Sequence, residues 1–247
     1  MAKRVMITVE YKGTAYYGWQ RNGDLPTVCG MLESAFNRLI GSDIEVYCSG
    51  RTDAGVHAIE QTAHLDLPDN SLLSVKKLPE SVNAFLPDDI RVKSAKEVSD
   101  KFHARYNVKT KTYLYKCYTG AVSSPLKNGL YAYVPAVLDY EKMKQTAQLF
   151  VGKHDFSAFC TPSGDVGSTV REIVSIDVVK GKGEFGFYIC GKGFLYNMVR
   201  YIVGTIVKAG KNKISSDEIV NALITGDKSK VGEKMPPEGL YLYKVTY

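Results

Sequence analysis

One aspartate and one arginine lie two residues apart in residues 49–58, which read Ser-Gly-Arg-Thr-Asp-Ala-Gly-Val-His-Ala. Two glycines, Gly50 and Gly55, lie on either side of the aspartate and permit backbone angles that a side chain would forbid. An aspartate on such a turn can point out of the scaffold, and the neighbouring Arg51 favours its ionised form and can fix its geometry. The stretch therefore predicts a presented carboxylate, Asp53, that could serve as a nucleophile or a base.

Turn chemistry taken alone favours a simpler role for Asp53. In an Asx-turn, an aspartate accepts hydrogen bonds from nearby backbone amides and takes part in no reaction. The turn by itself is compatible with both roles.

The composition is that of a globular protein with a real core. The chain has 247 residues, of which 45% are hydrophobic, and its formal net charge is +6. This length allows one large domain or two of about 100–130 residues. The positive charge is compatible with a polyanionic partner such as a nucleic acid.

No targeting or membrane segment is recognisable in the sequence. No apolar run approaches the roughly 20 residues of a membrane span, and the first residues lead directly into a strand pattern without a signal-peptide core. The five cysteines have no C-x-x-C spacing, and the four histidines have no metal-ligand spacing. These patterns predict a cytoplasmic protein with free thiols and no metal site.

Hydrophobic periodicity predicts the order β-α-β-β-α-β in the first half of the chain. Thr27 and Gly41 have the residue types that begin and end a helix. The predicted strands cover residues 4–11, 44–48, 58–67 and 90–98, and the second helix covers residues 74–85.

The second half repeats this plan. Strands are predicted at residues 109–119, 170–180, 185–190 and 240–247, with a helix from Asp139 to near Gly152 and an amphipathic helix carrying Leu195 to Val207. A further helix begins with the capping box Ser215-x-x-Glu218 and ends at Gly226. The repeated order predicts an α+β fold of two ferredoxin-like (split βαβ) halves, residues 1–106 and 107–247, with a cleft between them.

Several other patterns have both a structural and a functional interpretation. Tyr16, Tyr17 and Trp19 could stack on nucleic-acid bases or form a small satellite core. Tyr113 and Tyr115 share one face of a predicted strand that also carries lysines, which is typical of a nucleobase platform or of a half-buried sheet face.

Two further features involve residue types that can bind a ligand or a charged group. Residues 181–186 match G-x-G-x-x-G, but they lie in a predicted hairpin, so dinucleotide binding is rejected. Arg200 borders the apolar stripe of its helix, and an arginine near a buried seam usually has a carboxylate partner.

Five segments resemble segments of the tRNA pseudouridine synthase A family and follow the same order along the chain. They are residues 17–20, 50–58, 102–105 with Tyr113 downstream, 194–200 and 238–242, so the resemblance covers essentially the whole chain. The resemblance implies two ferredoxin-like halves that form one extended antiparallel sheet with a central active cleft. It also implies a homodimer that binds the anticodon stem-loop of tRNA rather than DNA.

The implied reaction converts uridines 38 to 40 of tRNA into pseudouridine without a cofactor. Asp53 matches the catalytic aspartate of the family, and Arg51 matches the arginine that holds the flipped RNA open. Tyr113 matches the tyrosine that stacks under the target uracil, and Arg200 matches the basic residue that pairs with the aspartate. The resemblance does not decide whether Asp53 attacks the ribose, attacks the uracil ring or acts as a base.

Two other functions share some of these features. A tandem RNA-binding protein without activity could have similar halves but would not need the Asp53 turn. A hydrolase with an aspartyl nucleophile would need a doubly wound parallel sheet and metal-binding carboxylates, and the sequence shows neither pattern.

Overall fold

A computed structural model describes residues 3–69, 71, 73–163 and 167–247 of the chain. The chain forms two compact units. One comprises the residues up to Lys109 together with Tyr241–Tyr247, and the other comprises Thr110–Leu240. The predicted domains 1–106 and 107–247 differ from these units chiefly in the last strand, which packs with the first unit.

The first part of the chain has the predicted order of strands and helices. Its elements are β1 (Lys3–Tyr11), α1 (Val28–Ile40), β2 (Tyr47–Cys48), β3 (His57–Leu67), α2 (Leu78–Asn83) and β4 (Ile90–Glu97). The strand predicted at residues 44–48 is shorter than expected, and the helix predicted at residues 74–85 begins with a separate 3-10 turn, Val75–Lys77.

The remaining elements include two short strands that the sequence analysis did not predict, β6 and β7. The elements are β5 (Thr110–Thr119), β6 (Ala132–Val134), α3 (Tyr140–Gln148), β7 (Gly152–Asp155), β8 (Val170–Lys180), β9 (Glu184–Gly191), α4 (Met198–Gly210), α5 (Ser216–Thr225) and β10 (Leu240–Thr246). Strands of this length are too short for an alternating hydrophobic pattern to stand out. Every helix in the described residues is too short or too polar to cross a lipid bilayer.

The sheet of the first unit has β1 and β3 at its centre. β1 pairs antiparallel with β3 and with β4, and β2 pairs antiparallel with β3. β10 lies parallel to β3, with Tyr241 opposite His57 and Leu242 opposite Ala58. The α+β class is confirmed, but this parallel pair departs from the fully antiparallel sheet that was predicted.

The sheet of the second unit has the order β5-β9-β8-β7, and its neighbouring strands are antiparallel. β6 is again an exception because it lies parallel to β5. The ferredoxin-like description of each half and the cleft between the halves stay predictions.

The helix ends follow the local sequence signals. The Thr27 side chain accepts a hydrogen bond from the Gly30 amide at α1, and Gly41 ends α1 with φ 77°. The predicted capping box of Ser215 and Glu218 is present at α5. Capping depends on residues only three apart, which explains why the sequence locates these ends well.

The aromatic loop before α1 belongs mainly to the core of the first unit. Trp19 and Tyr16 are buried, and the Tyr16 hydroxyl donates to Asp89 Oδ1 at 2.5 Å. Tyr17 is 56% exposed. The satellite-core interpretation is therefore correct for Trp19 and Tyr16.

This aromatic loop packs directly against the backbone of residues 52–57. Gly18 has φ 90°, and a Cβ atom added to it would lie 2.6 Å from the Thr52 carbonyl oxygen. A Cβ atom at Gly13 would lie 1.9 Å from the Val56 carbonyl oxygen. Glycine is therefore required at both positions for the two segments to approach this closely.

A buried histidine, His64, lies further along β3. Its Nδ1 accepts a hydrogen bond from the Ala104 amide at 3.2 Å, and its ring stacks on Tyr47 with centroids 5.1 Å apart. Burial lowers the pKa of His64 from 6.5 to about 4, and the positive charges of Arg4 and His103 act in the same direction. The folded first unit therefore favours the neutral form of His64 over the protonated form.

We expect Gly18→Ala to lower the free energy of unfolding by about 3 kcal/mol, because alanine is strained at positive φ and clashes with the Thr52 carbonyl. Gly23→Ala is the matched control. Gly23 also has a positive φ, 53°, but a Cβ atom there would meet nothing within 4 Å. Its expected cost is only about 1 kcal/mol. Urea unfolding of both variants checks this, and equal losses would contradict the tight packing of the loop.

We expect His64 to make the folded state less stable in acid. The unfolded chain protonates His64 as the pH falls below about 6.5, whereas the folded chain resists protonation until about pH 4. Above pH 6.5 His64 is neutral in both states, and the free energy of unfolding is not reduced. By pH 4 the free energy of unfolding falls by about 2–3 kcal/mol, because the unfolded chain has bound a proton at His64. Urea unfolding at pH 7 and pH 4 should show a smaller decrease in His64→Gln than in the wild type. The same decrease in both proteins would rule out this contribution.

Candidate active site

The start of the Asp53 loop is tied to β3. Ser49 is buried, its amide donates to the Thr62 carbonyl at 2.8 Å, and its Oγ donates to Gln61 Oε1 at 2.7 Å. Gln61 Nε2 in turn donates to the Gly50 carbonyl at 2.8 Å. These bonds fix the backbone just before Arg51.

The far side of the loop is held by a tight turn and by the aromatic loop. The Val56 amide donates to the Asp53 carbonyl at 3.1 Å, and the Gly55 amide donates to the Tyr16 carbonyl at 3.2 Å. The described residues with positive φ include Gly55, at 77°, but not Gly50. The predicted glycine requirement is thus confirmed for Gly55 alone.

The side chains of residues 51–53 differ in exposure. Thr52 is buried, and its Oγ1 shares a 2.7 Å hydrogen bond with the Tyr11 hydroxyl. Asp53 is half-buried and Arg51 is exposed. In the described part of the chain Arg51 enters no ion pair. Its guanidinium is therefore available to an anion such as a phosphate.

His57 follows the loop directly and serves the structure. It is buried, and its Nδ1 accepts a hydrogen bond from the Gly13 amide at 3.0 Å, so this nitrogen carries no proton. Its ring stacks on Tyr241 with centroids 4.6 Å apart. This histidine therefore joins the loop to β10 and to the segment after β1.

In the second unit, β5 carries Tyr113 and Tyr115 on the same face. The Tyr113 ring meets the Phe194 ring edge-on with centroids 5.0 Å apart, and only 9% of Tyr113 is exposed. Tyr115 is fully buried, and its hydroxyl donates to the Pro236 carbonyl at 2.7 Å. Tyr115 is therefore a core residue, and the platform interpretation is wrong for it.

Arg200 lies in the first turn of α4 and is only 8% exposed. Its Nε donates to the Met235 carbonyl at 2.6 Å, and its Nη1 donates to Asn197 Oδ1 at 2.8 Å. Neither bond uses Nη2, which can still donate to an anion. The carboxylate partner that the sequence analysis expects for Arg200 stays a prediction.

The structure thus places Arg51 and Asp53 on one loop of the first unit, and Tyr113 and Arg200 on β5 and α4 of the second. Asn197, which binds Arg200, was not predicted from the sequence. Its signal would have been an asparagine directly before a helix, since asparagine tolerates positive φ better than most residues. Among the described residues no group of three or more histidine, cysteine, aspartate or glutamate side chains could hold a metal ion.

Two other recognised segments support the scaffold. The backbone amide of Ala104 binds His64, and its carbonyl accepts the Tyr247 hydroxyl at 2.7 Å. A Cβ atom at Gly239 would lie 2.6 Å from Cζ of Tyr115. Both segments therefore serve packing, the first around His64 of β3 and the second against Tyr115 of β5.

Comparison with known proteins gives a consistent family. The sequence model described as tRNA pseudouridine synthase matches residues 7–107 and 146–247. The chain is 40% identical over 245 residues to "tRNA pseudouridine synthase A" of Thermoanaerobacter sp. (strain X514), which covers 99% of this chain and 100% of that protein. It is 42% identical over 249 residues to the protein of the same name from Geobacillus sp. (strain WCH70), covering 100% of this chain and 99% of that protein.

Among solved structures, a chain of a Cbf5-Nop10-Gar1 complex aligns with a TM-score of 0.38 and 12% identity. The alignment covers 96% of this chain and 57% of that chain. The sequence relationships to the two tRNA pseudouridine synthases extend over nearly the full length of both proteins. This chain belongs to the tRNA pseudouridine synthase family.

Proposed function

We propose that this enzyme converts uridines 38, 39 and 40 in the anticodon stem-loop of tRNA into pseudouridine. Family membership makes it an isomerase, and the fixed presentation of the half-buried Asp53 is the observation that carries the proposal. A protein that only bound RNA would not need a carboxylate held by backbone bonds on both sides of its loop. The stem-loop positions rest on the resemblance of five sequence segments.

The reaction rearranges one nucleotide without loss of atoms. The bond between C1′ and N1 of uracil breaks, the base rotates, and a bond forms between C1′ and C5. The proton at C5 leaves and N1 gains a proton, so the product is an isomer of the substrate. A carboxylate such as Asp53 can serve as nucleophile or base in these steps.

The target uridine must leave the helical stack before Asp53 can reach it. Base flipping costs a few kcal/mol, which contacts to the phosphates and to the flipped base offset. We assign Arg51 to the RNA backbone because its guanidinium is exposed and forms no ion pair in the described residues. We assign Tyr113 to stacking on the uracil, since the edge-on contact with Phe194 fixes its ring.

Arg200 supplies a positive charge to an anionic group of the reaction. Its Nε and Nη1 are already oriented by Met235 and Asn197, so its remaining donors approach the anion in a defined plane. This is the geometry that suits a carboxylate or a phosphate.

We further propose that the enzyme acts as a homodimer in the cytoplasm and binds tRNA without a cofactor. The net charge of +6 supports a polyanionic partner. The five cysteines are free, which suits a reducing compartment. The dimer rests on the family resemblance.

Asp53→Asn should strongly reduce turnover while preserving tRNA binding, because the amide has the shape of the carboxylate without its charge. We expect release of tritium from C5-labelled uridine in unmodified tRNA to fall by about 10²- to 10⁴-fold. Asp24→Asn, at an exposed aspartate outside the loop, is the matched control and should retain activity. A tRNA with cytidine at positions 38 to 40 should release no tritium.

Three results would contradict these assignments. If Asp53→Asn weakened tRNA binding as much as it slowed turnover, Asp53 would be a structural residue. If the tRNA with cytidine at positions 38 to 40 still released tritium, the proposed stem-loop positions would be wrong. Tight tRNA binding without any tritium release by the wild type would favour a binding protein over an enzyme.

Tyr113→Ala should slow turnover by about 5- to 150-fold, because stacking of one base on an aromatic ring is worth about 1–3 kcal/mol. Tyr113→Phe keeps the ring and should stay within a few-fold of the wild type. Single-turnover rates at saturating enzyme check this difference. Equal losses in both variants would show that the hydroxyl, and not stacking, is what the reaction needs.

A further inference from the structure

Asn197 has an unusual backbone for a residue with a side chain. It lies directly before α4 with φ 61° and ψ 8°, in the left-handed region, and is only 6% exposed. Asparagine tolerates this region better than most residues, but glycine adopts it more readily. The retention of a side chain at this position therefore calls for a role of that side chain.

That role is not capping of the helix. An asparagine before a helix usually accepts a hydrogen bond from an amide of the first turn. The Asn197 side chain makes no such bond. Its Nδ2 instead donates to Thr161 Oγ1 at 2.9 Å, and its Oδ1 accepts the Nη1 donor of Arg200 at 2.8 Å.

Thr161 is itself held in place. Its amide donates to the Tyr196 carbonyl at 2.9 Å, so the residue before Asn197 fixes the position of Thr161. The Asn197 amide group is therefore restrained at its nitrogen by Thr161 and offers its oxygen to Arg200 in one orientation. The orientation of the Asn197 side chain is therefore set by its own backbone and by Thr161.

The second acceptor of Arg200 is equally constrained. The Met235 carbonyl accepts Nε, and the Met235 amide donates to the Arg200 carbonyl at 3.3 Å. The segment before Met235 is in close contact with α4, since a Cβ atom at Gly204 would lie 1.9 Å from the Glu233 carbonyl oxygen. Two fixed acceptors on adjacent nitrogens define the plane of the guanidinium.

We infer that Asn197 is a positioning residue that orients the Arg200 guanidinium toward its anionic ligand. The inference rests on the proposed role of Arg200. It assigns to Asn197 no contact with the substrate and no capping function. Its effect passes through one hydrogen bond to Nη1.

Asn197→Gly is the direct test because glycine keeps the left-handed backbone and removes only the side chain. We expect kcat/KM for tritium release to fall by about 10- to 100-fold, the size typical of a small misplacement of a reacting or binding group. Asn212→Gly is the matched control at the other end of α4. Asn212 has φ 57°, is exposed, and accepts only Lys142 Nζ among the described bonds, so activity should be unchanged.

A conservative variant separates orientation from folding. Asn197→Asp keeps an acceptor oxygen for Nη1 and a residue type that tolerates positive φ, but its carboxylate also competes with the anionic ligand for Arg200. We therefore expect it to recover only part of the kcat/KM that Asn197→Gly loses, with a thermal midpoint close to that of Asn197→Gly. If the activities of the two variants simply followed their thermal midpoints, Asn197 would be a structural residue and not a positioning residue.

The decisive measurement compares the Arg200→Ala variant with a double variant that carries Asn197→Gly as a second substitution. If Asn197 acts through Arg200, the second substitution should reduce kcat/KM by less than twofold further. Losses that multiply would overturn the inference while leaving the enzyme's function intact. Absence of turnover in the wild type, or full activity of Arg200→Ala, would instead overturn the proposed function or the role of Arg200, and the inference with it.

Discussion

The contact between the Gly13–Trp19 backbone and the Asp53 loop is the constraint on which the first unit's candidate site depends. The Trp19 amide donates to the Thr52 carbonyl at 3.0 Å, and the Gly13 amide donates to His57 at 3.0 Å. A carboxylate that must reach a substrate cannot be fixed by burying it, because burial of a charge is costly. Backbone bonds fix the loop on either side of Asp53 instead, and they need glycine at positions 13 and 18.

The second unit uses the same device for its arginine. Gly204 and Gly232 allow the segment before Met235 to lie against α4, since a Cβ atom at Gly232 would lie 2.2 Å from the Gly204 carbonyl carbon. That contact brings the Met235 carbonyl to Arg200 and the Pro236 carbonyl to the Tyr115 hydroxyl. In both units, therefore, glycines that carry no functional group themselves help to determine where a functional side chain lies.

Features that depend on neighbouring residues could be predicted from the sequence, and features that depend on distant residues could not. The ends of α5 follow from Ser215 and Gly226, and the Asp53 turn follows from one short motif. The parallel pairing of β10 with β3 joins residues far apart in the chain, and no local pattern encodes it. The Met235 carbonyl reaches Arg200 across 35 positions, so this acceptor could not be predicted from the sequence either.

The choice of arginine at position 200 follows from its two acceptors, the Met235 carbonyl and Asn197 Oδ1. Both are neutral oxygens, which satisfy donor groups but do not neutralise a buried positive charge, so an anion nearby is favoured. Arginine can use Nε and Nη1 for orientation and keep Nη2 for that anion, because its five donors lie in one rigid plane. Lysine would have to meet all these partners with a single rotating ammonium group. Arginine can therefore be held in place through two of its nitrogens and bind an anion through the third, which lysine cannot do.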